Sequence, residues 1–329
     1  MNANITPILY GRVELPTSTS VELFCRTTAW FAERLGPYIH TLLIGGYQNY
    51  RQWHRIELSP SLRGKLSLSL AHMPNLRELM VAMMEVDLSA CFDPLISKPP
   101  FSLEKLVIPL MRTSSFYKLL KSQPSIKELQ IGSEHTLGEF EFSRCLSQQP
   151  ELLPNLISIA APISVLKGAV PGRPISHIAI ITELLDWTDP GITIINPSTW
   201  QPILCGSRVA ITSIGFYQSP HSADPWDQLV PALKEFSVHK TLKRLDIVEA
   251  LDPPVTEWGK QESLSQRVKQ IKILTEFDKL DSLELGEMSC IPSPAADVML
   301  WLGNMNKITA WKAHMPSLKW VKIYGVNIS

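Results

Sequence analysis

The chain has 329 residues, more than one compact core usually sustains. Its 45% hydrophobic and 19% charged content belongs to a folded globular protein and excludes a disordered one. With 31 basic and 31 acidic residues the formal charge is zero, which argues against a nucleic-acid or acidic-membrane surface. Five cysteines (Cys25, Cys91, Cys145, Cys205, Cys290) lie far apart without CxxC spacing and read as reduced thiols. The start, "MNANITPILYGRVEL", has no basic segment and no long apolar run, so it does not read as a secretory signal. No stretch is apolar for long enough to suggest a membrane span, and a cytoplasmic or nuclear protein is expected.

In chain order, a first strand is expected around Tyr10-Val13-Leu15. Thr19 to Glu22 reads as a capping box opening a helix whose apolar face carries Val21, Phe24, Cys25, Thr28 and Ala32. A spaced apolar triplet then recurs at Ile39-Leu42-Ile44, Leu76-Leu79-Val81, Leu103-Leu106-Ile108, Ile126-Leu129-Ile131 and Leu156-Ile159-Ala161. It continues at Ile175-Ile178-Ile180, Ile211-Ile214-Phe216, Leu242-Leu245-Ile247, Leu280-Leu283-Leu285 and Leu318-Val321-Ile323. Helices are expected between triplets: one with Phe116, Leu119 and Leu120, one from Asp224-Pro225 that Pro231 should kink or delay, and one from Ser293-Pro294.

Four of the triplets sit in a tighter cassette: "MPNLRELMV", "QPSIKELQI", "LPNLISIAA" and "MPSLKWVKI". Proline ends the returning helix, Asn or Ser suits the turn, and the alternate apolar residues enter a shared core. The plan is strand, helix, strand, repeated ten to eleven times as a single array over residues 1–329. Strands that all run one way, each returned by a helix, form a parallel sheet. A regular stack of such units curves, with strands on the concave side and helices on the convex side.

The cassettes resemble leucine-rich repeats, whose core is L-x-x-L-x-L, so the fold class expected is an α/β leucine-rich-repeat-like solenoid, a horseshoe. The family's Asn or Cys after the last Leu is absent, as "AMMEV" after Val81 and "GSEHT" after Ile131 show. Middle anchors stand 19 to 38 residues apart, so the array is irregular. More narrowly, "PILYGRVEL", "LGPYIHTLLI", "LPNLISIAAP" followed by "VPGRPISHIAI", and "MPSLKWVKIYG" resemble the substrate-binding half of fungal F-box proteins. An F-box is expected before Ile8, where only seven residues stand, so a Skp adaptor is implied as partner only if an F-box lies upstream. The resemblance implies a non-catalytic interaction scaffold, the substrate-recognition region of a ubiquitin-ligase adaptor. The alternative is a free-standing leucine-rich-repeat binding protein unrelated to ubiquitination.

Nothing in the residues points to an enzyme or a cofactor. Eight histidines form no HExxH or HxxxH, and GxSxG, GxGxxG and GxxxxGK[ST] are missing. "PGRP" at 171–174 reads as a rigid turn, or as a phosphate contact through Arg173. "GGYQNYRQWHR" gathers Tyr47, Tyr50 and Trp53 in a loop suited either to recognition or to burial. The insertion 183–207, with two tryptophans, is expected at the rim. The positions between anchors should face away from the helices, and those toward the C-terminus mix charges with aromatics: Arg244, Asp246, Ser282, Glu284, Trp320, Lys322 and Tyr324. Glu128, Gln130, His177 and Ala179 stand at equivalent places, as do Met80 and Val107 further toward the N-terminus. A protein partner fits that composition, and so does a merely solvated sheet face.

Overall fold

A computed structural model describes residues 10–47, 53–54, 56–82, 99–109, 114–132, 136–181, 197–218, 225–250, 257–288 and 293–329. Where the sequence suggests one array over residues 1–329, the chain groups into two compact units, 1–169 and 170–329. Both are α/β. An array whose repeats touch only their neighbours has no central core to hold it as one body.

The first unit opens with β1 (Arg12–Leu15), helix α1 (Ser18–Leu35) and β2 (Thr41–Ile44). A small antiparallel ribbon, β3 (Gly46–Tyr47) with β4 (Trp53–His54), precedes helix α2 (Pro60–Leu70) and β5 (Glu78–Val81). Then come β6 (Lys105–Pro109), α3 (Ser114–Ser122), β7 (Glu128–Gly132), α4 (Thr136–Gln148), β8 (Ser158–Ala161) and α5 (Ile163–Ala169). The strands pair in the order β1-β2-β5-β6-β7-β8, and every neighbouring pair is parallel.

The second unit holds β9 (His177–Ile181), α6 (Pro197–Leu204), β10 (Ser213–Gln218), α7 (Pro225–Glu235), β11 (Arg244–Ala250) and α8 (Glu257–Gln270). It ends with β12 (Ser282–Met288), α9 (Ala295–Leu302), α10 (Ile308–Lys312), β13 (Trp320–Ile323) and β14 (Val326–Ile328). Here β9 to β13 pair in sequence order and parallel, and β14 turns back antiparallel on β13. Among the described residues no helix is long and apolar enough to cross a membrane.

All eleven apolar triplets lie on or just before these strands, and their middle anchors stand in register. In the first unit Val13, Leu42, Leu79, Leu106, Leu129 and Ile159 are successive partners. In the second, Ile178, Ile214, Leu245, Leu283 and Val321 are. From Leu42 onward no middle anchor is more than 2% exposed. Full burial of one such side chain contributes about 1.5–3 kcal/mol, so each anchor stabilises its unit appreciably.

The turn into each strand carries a second repeat, made by the backbone. The carbonyl of His40 accepts from the amides of both Arg77 and Glu78, and Arg77 O accepts from Glu104 and Lys105. Glu104 O and Lys127 O continue the pattern, and Ser176 O, Thr212 O, Lys243 O and Asp281 O repeat it in the second unit. The cassette's polar residue ties each turn to the unit before. Asn75 Nδ2 donates to Pro37 O at 2.7 Å, and Asn155 Nδ2 donates to Pro124 O at 3.0 Å. Ser125 Oγ donates to Leu103 O at 2.8 Å, and Ser317 Oγ to Leu280 O at 2.6 Å. Asn and Ser are therefore inter-repeat clamps as well as turn formers. The residue before the proline (Met73, Leu153, Met315, or Gln123 with its side chain bonded to Leu103 N) fills the core beneath.

Several expectations are corrected. The α1 cap is Thr17 with Ser20, which exchange hydrogen bonds at 3.1 and 3.0 Å, two residues before the box read at Thr19. Pro231 lies inside α7 and does not delay its start, which is at Pro225. Ser293 does not cap α9, whose N-cap is Pro294; its amide donates instead to Glu287 Oε1 at 2.6 Å. Trp200, placed at a rim by the sequence, is 1% exposed on α6, because that helix packs its apolar side inward. Trp187 lies outside the described residues. Gly172, at φ 75°, makes the turn at 171–174, and Arg173 is wholly buried there, which removes the phosphate reading.

Replacing one middle anchor should damage the fold far more than replacing an exposed leucine. Leu245→Ala is expected to cost about 2–5 kcal/mol in urea unfolding, against less than about 0.5 kcal/mol for the 77%-exposed Leu300→Ala.

Candidate functional site

Two side-chain rows of each sheet point away from the anchors, and the two units fill them differently. In the first unit the row nearest the middle anchors is Leu43, Met80, Val107, Gln130 and Ala160. All five are buried, and Leu43, Met80 and Val107 form a hydrophobic cluster. Met80 and Val107 thus lie on the face expected, away from the anchors, but are buried there and not open to a partner. Three apolar side chains side by side in register leave water together, a consequence of their neighbours that neither shows alone.

In the second unit the corresponding row is Ala179, Gly215, Asp246, Glu284 and Lys322, preceded by His177, Ser213, Arg244, Ser282 and Trp320. Parallel pairing places residues from β11, β12 and β13 one strand apart, about 4.8 Å. Arg244 binds Asp246 through Nε, at 2.8 Å to Oδ2 and 3.0 Å to Oδ1. Its Nη2 lies 3.7 Å from Glu284 Oε2, and Lys322 Nζ lies 3.0 Å from Glu284 Oε1. Two cations and two carboxylates therefore form one short network with no net charge. Ser282, small and in register between Arg244 and Trp320, lets the guanidinium approach the indole, 5.9 Å from the ring centroid.

Burial grades across this network. Side-chain exposure is 48% at Arg244, 33% at Lys322, 19% at Glu284 and 8% at Asp246. Loss of water pushes the Asp246 carboxyl up to about 6, and neighbouring Glu284 adds to the rise, against the pull of Arg244 and Lys322. Arg244 moves up as well: burial opposes its charge, but Asp246 and Glu284 outweigh that.

Two glycines shape the surroundings. A Cβ at Gly215 would come within 2.8 Å of the Tyr217 ring, which leans along the strand over the empty position. A Cβ at Gly286 would meet Val248 at 2.5 Å. Tyr217, two residues beyond Gly215, also contributes to the charge environment of Arg244. Sequence reading passed over it; the alternation Ser213-Gly215-Tyr217 on one sheet face was the available signal. On the opposite side of β12, Glu287 forms an ion pair with Lys260 of α8 at 3.1 Å, both side chains almost buried. Lys260 Nζ also reaches Ser293 Oγ at 3.3 Å, so this pair pins the end of the strand to its helix.

Of the residues singled out from sequence, Arg244, Asp246, Glu284, Lys322 and Trp320 converge. Tyr324 does not share their exposure: it is 5% exposed, at φ 45°, in the Tyr324-Gly325 turn joining β13 to β14. The strand ends one residue earlier, so the alternation that placed Tyr324 on the face has stopped. Tyr47 and Trp53 are backbone partners in the β3–β4 ribbon, and Tyr50 lies outside the described residues. Among the described residues no group of three or more His, Cys, Asp or Glu is placed to hold a metal ion.

No family model and no curated protein matches this chain. A crystal structure of a protein from Bacteroides fragilis superposes with a TM-score of 0.39 at 13% identity, covering 84% of this chain and 67% of that one.

The raised Asp246 carboxyl has a signed consequence. The folded state holds this proton more tightly than the unfolded chain, whose carboxyl titrates near 3.9. The resulting stability is present below about pH 4 and is lost as pH rises through about 6. Asp246→Asn lacks that titration. The native protein's stability relative to Asp246→Asn should therefore fall between pH 4 and 7, by up to roughly 3 kcal/mol, in urea unfolding at several pH values.

Proposed function

We propose that this chain is a non-catalytic protein-recognition module, a degenerate leucine-rich-repeat horseshoe like the substrate-binding half of F-box-type ubiquitin-ligase adaptors. The observation that carries this reading is the Arg244–Asp246–Glu284–Lys322 network with Trp320 at its edge. Its groups come from three adjacent parallel strands, so their spacing is set by the sheet and little order has to be gained on binding. Arginine beside tryptophan is a composition favoured at interface hot spots, and half-buried charges can exchange partners with a complementary surface. Recognition would proceed through shape and paired charges, with no bond made or broken. A Skp adaptor enters as a second partner only where an F-box precedes this chain in the full protein.

The test is affinity capture with quantitative mass spectrometry, comparing the native chain with Trp320→Ala, Lys322→Glu and the control Leu300→Ala. A specific partner should lose about tenfold or more of its recovery with either face variant and none with the control. Partners recovered equally by all three variants would refute the reading. Recovery of a Skp adaptor by the full-length product, insensitive to Trp320→Ala, would support the ubiquitin-ligase assignment separately.

A further inference from the structure

The guanidinium of Arg244 is fixed at one end and unused at the other. Its Nε is held by both oxygens of Asp246, and its Cζ lies over the Trp320 ring. The remaining donors, on Nη1 and Nη2, form a planar fork, and neither makes a hydrogen bond with a described residue. Glu284 Oε2, 3.7 Å from Nη2, is too far for one, and the other oxygen of that carboxylate is taken by Lys322. A fork of this shape matches a carboxylate through two parallel hydrogen bonds. With Nε already pinned, little order has to be gained when one arrives.

Burial sorts the charges of the network by depth. The cations Arg244 and Lys322 are 48% and 33% exposed, whereas the carboxylates Asp246 and Glu284 lie beneath at 8% and 19%. An approaching partner therefore meets positive charge first. The network is neutral as it stands, so one added carboxylate leaves an excess of a single charge, and a phosphate dianion would leave more beside two carboxylates.

Arg244 is also the middle of a row. His177, Ser213, Arg244, Ser282 and Trp320 stand in register across five strands, with large side chains alternating with small. The hydroxyls of Ser213 and Ser282 make no hydrogen bond with any described residue. His177 is exposed, and Ser176 Oγ, 2.8 Å from its Nδ1, leaves Nε2 open. The row spans about 19 Å, the length of about six residues of extended chain. Because it continues on both sides of Arg244, it suits an acidic residue inside a segment and not a carboxylate at a chain end.

We infer that this row takes an extended segment of the protein partner, with one Asp or Glu side chain of that segment bound to the Nη1/Nη2 fork of Arg244. The inference rests on the recognition reading and names the chemistry of its partner.

The experiment pans a display library of random peptides of about eight residues on the native chain, then measures the enriched sequences as C-terminally amidated peptides by fluorescence anisotropy. Enriched peptides should share an Asp or Glu at an interior position. Replacing it by Asn or Gln should weaken binding by about tenfold or more. Arg244→Lys should do the same, since it keeps the charge but lacks the fork. Both changes remove one contact, so on Arg244→Lys the amide peptide should lose less than about threefold further. Circular dichroism checks the fold of the variant; if Arg244→Lys does not fold, Ser213→Phe, which fills the row beside the fork, should show the same loss. Enriched peptides without an acidic residue, or acidic peptides indifferent to Arg244→Lys or Ser213→Phe, overturn the inference. If such peptides are still lost with Trp320→Ala, the recognition face stands and only its acidic preference falls. A library that enriches nothing also overturns the inference, and the recognition role is then judged by affinity capture alone.

Discussion

The structure depends on the register of parallel strands. Once Leu42 pairs with Leu79, and Leu79 with Leu106, every other residue of those strands has its neighbours assigned. A slip of one residue would move the anchors to the opposite face and expose the whole row. Two features resist that slip. Each turn carbonyl accepts two amides from the following unit, and the cassette's Asn or Ser donates to a carbonyl of the unit before. Polar clamps hold the turns while apolar burial provides most of the stabilisation.

The same register creates the candidate recognition network. Asp246 and Glu284 are direct cross-strand neighbours, a like-charge pairing that would oppose the sheet on its own. Arg244 on one side and Lys322 on the other offset it, and the result is a cation at each end with two carboxylates between them. Such an arrangement is electrically quiet at a distance and strongly polar at contact, in keeping with selective rather than general attraction. The buried Lys260–Glu287 pair on the helix side holds the end of β12, so the strand presenting Glu284 is anchored from behind.

The two units show how one backbone plan serves different ends. Equivalent rows are sealed and mostly apolar in one unit, charged and half-open in the other. In the first, Leu43, Met80 and Val107 bury one another. In the second, glycines at 215 and 286 give room to Tyr217 and Val248 beside the charge network.

What the sequence determined by itself was the periodic part: the positions of the eleven parallel strands, the alternation of helices, and the burial of the anchor residues. Those features arise from local preference and from a hydrophobic pattern that repeats, both of which are written along the chain. It also named most of the charged network, because Arg244, Asp246, Glu284, Trp320 and Lys322 occupy equivalent places in successive cassettes. Only the tertiary structure decided which rows are covered, that Trp200 and Arg173 lie inside, that Tyr324 belongs to a turn, and that Tyr217 joins the cluster. Those outcomes depend on which side chains from distant segments meet across strands or above them, and the pattern of any single segment carries no record of that meeting.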